Sequence, residues 1–142
     1  YEEWFNGIKI PESELKNYYV IYIYRNPSFS IPSRFTNPEH LLHVQSDENI
    51  KLRNVLISGK DFYQIREFYD NYTKPNKKRN YRIYCIKYED IFNEQDELSK
   101  LLGVGKLNLD NKSTRKEGNK RLDYIYADLI GIMNKNDFII IN

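Results

Sequence analysis

The stretch Tyr18–Ser33, YYVIYIYRNPSFSIPS, decides how this chain folds. Its first seven residues, Tyr18–Tyr24, are β-branched or aromatic and carry no charge. Such a run suits a strand covered on both faces, as in a parallel sheet. It stops at Arg25-Asn26-Pro27, because proline has no N–H for the ladder. Upstream, Pro11, Ser13 and the acidic Glu12 and Glu14 predict a turn or short helix. Downstream, the text from Ser28 to Ile50 is irregular, with a short helix expected from Pro38 to about Val44. Asp61 can cap a helix that carries Phe62, Ile65, Phe68, Tyr69 and Tyr72 on one face. After the basic loop 74–79, Tyr81–Tyr88 (YRIYCIKY) is the second strand. Glu89–Leu102 reads as a helix closed by Gly103. Residues 107–120 are polar and predict a loop. Arg121–Met133 places Leu122, Ile125, Leu129 and Ile132 on one helical face, and Phe138–Ile141 is a third strand or a core-docking tail. The alternation predicts an α/β domain over residues 1–142, a parallel sheet flanked by helices.

Bulk properties narrow the function. A chain of 142 residues can bury a real core, and 40% hydrophobic with 30% charged residues is an ordinary globular balance. A net charge of +2 does not by itself imply a nucleic-acid or membrane partner. No stretch approaches the ~20 apolar residues of a membrane span. The single cysteine, Cys85, lies in the apolar run Ile83–Ile86 and reads as a buried small hydrophobe rather than a nucleophile. The 13 tyrosines, with abundant Asn, Lys and Ile, look like codon bias rather than a stacking surface.

The chemistry concentrates where the first strand ends. In an open α/β sheet the carboxyl edge of the strands is the usual ligand crevice. Arg25 there offers paired planar donors to a phosphate, and Ser33, eight residues on, adds a hydroxyl. Backbone N–H groups at a helix start would complete an anion site. The segment VIYIYRNPSFSIPS resembles the 3′-phosphate-binding motif of sulfotransferases, and RIYCIKYEDIFNEQDELSKLLGV resembles that family's later strand, Tyr-Glu-Asp, helix and Leu-Gly segment. The resemblance spans about Tyr18 to Val104. It implies a partial P-loop sulfotransferase-like fold, with 3′-phosphoadenosine 5′-phosphosulfate as donor substrate and no metal. In that family the arginine and serine hold the donor's 3′-phosphate, so Arg25 and Ser33 would do so here. Tyr88 would lie near the adenine. Arg115 and Lys116 are similar to the family's late Arg-Lys-Gly phosphate clamp, interrupted here by Glu117. Pro32 fits only a helix's first turn, which places the start of the serine-bearing helix near it.

Two expected parts have no counterpart. Nothing before Tyr18 reads as a strand, Gly-rich turn and lysine for the donor's phosphosulfate, and no histidine lies upstream as a base. Gly103-Val104-Gly105-Lys106 follows a helix and reads as a helix stop. The domain is therefore expected to be incomplete at its N-terminus, and an enzyme only if residues outside this sequence supply that loop. The reaction would be sulfuryl transfer to a hydroxyl or amine of an unidentified acceptor. The first rival is a non-catalytic member of the same fold acting as an interaction or structural module in a larger assembly. The second is a nucleic-acid module using Lys74, Lys77, Lys78, Arg79 and Arg82 with Tyr72, Tyr81 and Tyr84. Glu39, His40 and His43 read as surface groups rather than a zinc site, and Glu89 and Asp90 as helix N-terminal charges. The compartment stays open, with a lean to the cytoplasm.

Overall fold

The structure is a computed structural model and describes residues 7–18, 20–36, 47, 49–111 and 117–142. The described residues form β1 (Val20–Tyr24), α1 (Pro27–Thr36), α2 (Leu52–Ser58), α3 (Ile65–Thr73), β2 (Ile83–Lys87), α4 (Gln95–Leu102), α5 (Lys120–Ile125), α6 (Ala127–Lys135) and β3 (Ile139–Ile141). Short 3-10 turns cover Leu15–Asn17 and Tyr88–Asp90. No helix among the described residues is long and apolar enough to cross a membrane. The helix expected from Pro38 to Val44 lies outside the described residues. The chain divides into two compact units, one of residues 1–24, 67–108 and 136–142, the other of residues 25–66 and 109–135.

The first unit holds the sheet, in the order β1-β2-β3. β1 and β2 are parallel, pairing Val20 with Ile83 through Tyr24 with Lys87. The sheet is nevertheless mixed rather than parallel, because β3 runs antiparallel to β2, pairing Tyr84 with Ile141 and Ile86 with Ile139. The chain enters β3 where the Lys87 N–H donates to the Phe138 carbonyl (3.0 Å). It leaves where Ile83 and Asn142 exchange both backbone bonds (2.7 and 2.9 Å). Nothing in the residues Ile-Ile-Ile distinguishes the two directions, since propensity is blind to strand sense.

β2 is the central strand, with Ile83, Cys85 and Ile86 all but inaccessible. β1 is an edge strand, and the expectation of cover on both faces fails there. Ile21 and Ile23 are 38% and 54% exposed, whereas Tyr24 is buried. The covered face of β1 packs on α3: Tyr22 stacks on Tyr72 (centroids 4.6 Å) and Tyr24 meets Tyr69 edge-on (5.3 Å). Such pairs add about 0.5–1.5 kcal/mol beyond their area. A second cluster of Ile86, Ile91, Leu98 and Phe138 is lined by Tyr88, Leu101 and Leu102. Helix α4 starts only at Gln95, six residues later than expected, and ends at Gly103 in the left-handed region (φ 64°), which glycine adopts without a Cβ clash.

The second unit is helical. The Asp61 carboxylate accepts the Ile65 and Arg66 amides (both 2.8 Å), so it caps α3 as expected. The helix expected over Arg121–Met133 is two, broken at Tyr126. The buried stripe is Leu122, Tyr126, Leu129 and Met133, not the expected one through Ile125 and Ile132, and Ile132 is 52% exposed. Tyr126 is fully buried, donates to Asp61 (2.7 Å) and lies under the Arg66 guanidinium (4.9 Å to the ring centroid). Pro32 sits inside α1, not in its first turn. Having no N–H, it leaves the Ser28 carbonyl without a helical donor. The Asn119 N–H takes that place (3.1 Å), while the Asn119 side chain caps α5 by accepting from Arg121 and Leu122. Beside it, a Cβ on Gly118 would sit 2.2 Å from the Ser28 Oγ, so this approach requires glycine.

Candidate functional site

The expected site begins at the carboxyl ends of β1 and β2. Tyr24 and Lys87 are register partners, Arg25 follows the one and Tyr88 the other. Arg-Asn-Pro is not only a strand stop but the start of α1. Pro27 is its first residue, where a missing N–H costs nothing. Asn26 is its cap: its side-chain oxygen accepts the Ser28 amide (2.9 Å), and its carbonyl accepts the amides of Phe29 (3.1 Å) and Ser30 (3.0 Å). The first-turn amides thus already have acceptors, so oxyanion recognition here would rest on side chains. That corrects the expectation that the helix start supplies free donors.

Arg25 is partly buried, immediately before this cap. Ser33 is in the second turn of α1, seven residues after Asn26 and so two turns along the same side of the helix. Its hydroxyl donates to the Ser30 carbonyl (2.8 Å) and keeps only its lone pairs for another group. To donate to a phosphate it must exchange that bond. Tyr88 opens the 3-10 turn, is partly buried, and meets Phe92 edge-on (5.7 Å). The ring therefore contributes to the core as well as to the strand end, a role the spacing did not reveal. Arg115 and Lys116 lie outside the described residues, as do Glu39, His40 and His43.

The neighbouring charges are structural. Lys87 is largely covered (15% exposed) and its ammonium binds Asp90 (2.7 Å) and the Asn136 carbonyl (3.1 Å). Asp90 thus belongs to an ion pair at the strand end, not to the first turn of α4, where Asp96 and Glu97 take that part. Burial raises the Tyr24 phenol to about 12, and both it and Tyr69 are hydrogen-bonded to the Asn136 amide. Burial also pushes the Cys85 thiol up to about 11, and it donates to the Tyr72 carbonyl (3.3 Å). A thiol so held is not a nucleophile at neutral pH. Among the described residues no group of three or more His, Cys, Asp or Glu is placed to hold a metal ion. No protein-family model, curated protein or solved structure matches this chain.

Proposed function

We propose that this chain is a sulfotransferase-like domain that holds the 3′-phosphoadenosine part of 3′-phosphoadenosine 5′-phosphosulfate, for sulfuryl transfer to a hydroxyl or amine acceptor. One observation carries the reading. The strands of the two family-like motifs are hydrogen-bonded neighbours, parallel, and in register at their carboxyl ends through Tyr24 and Lys87. Two motifs that serve one nucleotide must leave a sheet at one edge, and strands of opposite sense would have separated them. Arg25 positions the 3′-phosphate by a charge-assisted bond, Ser33 joins it on releasing Ser30, and Tyr88 borders the base. Arg115 and Lys116 would add cations to the same phosphate. These residues bind the donor; the sulfur-bearing end needs a lysine that the motifs place on no residue of this sequence.

Calorimetry with adenosine 3′,5′-bisphosphate tests the site. A charged hydrogen bond of ~1.5–3 kcal/mol corresponds to a loss of roughly 10- to 100-fold in Arg25→Ala. No heat at millimolar ligand, or an Arg25→Ala variant that binds as the parent does, removes the reading. The first-turn amides of α1 and the Ser33 hydroxyl, all bonded within the chain, favour the second reading, a non-catalytic member of the fold. That alternative predicts no nucleotide binding at all.

A further inference from the structure

We infer that the amino end of β2 carries a second anion site, which takes a phosphate or sulfate ester and is independent of the nucleotide reading. An open pocket of about 340 Å³ lies there, lined by residues 75–77 and 79–82 together with Asn142. Three of the eight lining residues, Lys77, Arg79 and Arg82, are cations, and none is acidic. Among the described residues none of the three forms an ion pair; the nearby Lys74 is the one matched, to Asp70 (2.5 Å).

The walls are built rather than incidental. Arg79 Nη2 donates to the carbonyls of Asn71 and Lys74 (both 3.0 Å), and the Asn142 side chain donates to those of Tyr72 (2.8 Å) and Lys74 (2.7 Å). Together they cap the end of α3. These acceptors are neutral carbonyls, so they fix the guanidinium without cancelling its charge. The Arg79 Nη1 is covered and has no hydrogen-bond partner among the described residues. The Asn76 side chain accepts the Lys78 amide (2.9 Å), and the Asn76 carbonyl the Arg79 amide (3.1 Å), which shapes the loop. Asn80 clamps Ile10 through both its amide atoms (3.0 and 2.6 Å). On this fixed frame Lys77 and Arg82 line the pocket as exposed residues.

A concave wall with three uncompensated cations concentrates an anion, and ammonium and guanidinium groups favour phosphate or sulfate oxygens over a lone chloride. The carboxyl end of β2 lies five residues away, ~17 Å at the rise of a strand, so this pocket is not the edge that Tyr88 occupies.

Titration of the ¹⁵N-labelled chain with inorganic phosphate at pH 7 and low ionic strength tests the site. The expected result is saturable shifts confined to the amides of residues 76–82. The Lys77→Gln/Arg82→Gln double variant should weaken the fitted affinity about tenfold, its other amides unmoved. Arg25→Ala leaves this affinity unchanged, which separates the outcome from that of the nucleotide site. Glucose 6-phosphate and glucose 6-sulfate, titrated in parallel, identify the source, since the preferred ester shifts the same amides at lower concentration than its bare anion. Shifts that grow linearly and spread over exposed lysines throughout the chain overturn the proposal. So does a double variant with parental affinity, or a single-stranded oligonucleotide whose binding grows with length regardless of that variant.

Discussion

The two ends of β2 treat positive charge in opposite ways. At the carboxyl end Lys87 is covered, matched by Asp90 and tied to the Asn136 carbonyl. At the amino end Arg79 is fixed by neutral carbonyls, and Lys77 and Arg82 stand exposed and unmatched. Removing a covered, matched cation is costly, because its partner is left desolvated and unpaired. An exposed, unmatched one adds little to stability and keeps its charge for a ligand. The motif resemblance points to the first end and the unspent charge to the second, so each needs its own experiment.

The comparison predicts a descending series of effects. The largest belongs to the strand between the two ends. Ile86→Ala removes a side chain that is 1% exposed and should cost about 2–4 kcal/mol in urea denaturation. On the edge strand, Ile23→Ala should cost well under about 1 kcal/mol, because that side chain is 54% exposed. Equal losses would mean that β1 is covered. Next comes Lys87→Met, which leaves Asp90 unmatched and the Asn136 carbonyl without its donor, for about 1–2 kcal/mol. The Lys77→Gln/Arg82→Gln variant should stay within about 0.5 kcal/mol of the parent by the same measurement. A reversal of that order would abolish the distinction between the ends.

A pH series calibrates what an exposed pair is worth. The Arg66 guanidinium bonds Asp128 (2.6 Å) and holds its carboxyl down at about 2, below the ordinary 3.8. Because the folded value is the lower one, this contribution is complete above about pH 4 and fades as pH falls through 2. Asp128→Asn should therefore differ from the parent most above pH 4 and converge with it near pH 2. A gap that stayed constant across that range would mean that the pair has no charge component.

Much of this was legible in the chain. Runs rich in β-branched and aromatic residues located the first two strands and left the third open between a strand and a core-docking tail, and Asp61 and Gly103 marked one helix start and one helix stop through side-chain capping and glycine's left-handed freedom. What escaped depends on neighbours rather than on local preference. Ile21 and Ile23 are as apolar as Ile83 and Ile86, yet they alternate with the covered Tyr22 and Tyr24 and lie on the exposed face of their strand. The break at Tyr126 was hidden because Leu122, Ile125 and Leu129 continue a helical period across it, while the phenol is drawn to Asp61, 65 residues earlier. At the candidate site, the sequence offered Arg25 and Ser33 through their spacing and the motif they resemble. The hydrogen bonds that already occupy Ser33 and the first amides of α1 could not be, since Asn26 can end a strand or cap a helix.

Pro32 has a consequence for how the second unit assembles. In an ordinary helix the Ser28 carbonyl would be claimed within its own segment, early and locally. The imide at position 32 keeps that acceptor vacant until a segment some ninety residues later arrives with Asn119. A backbone bond that elsewhere reports only local winding here reports long-range closure. Exchange of the Asn119 amide hydrogen would therefore time the docking of α5 on α1 rather than the formation of either helix.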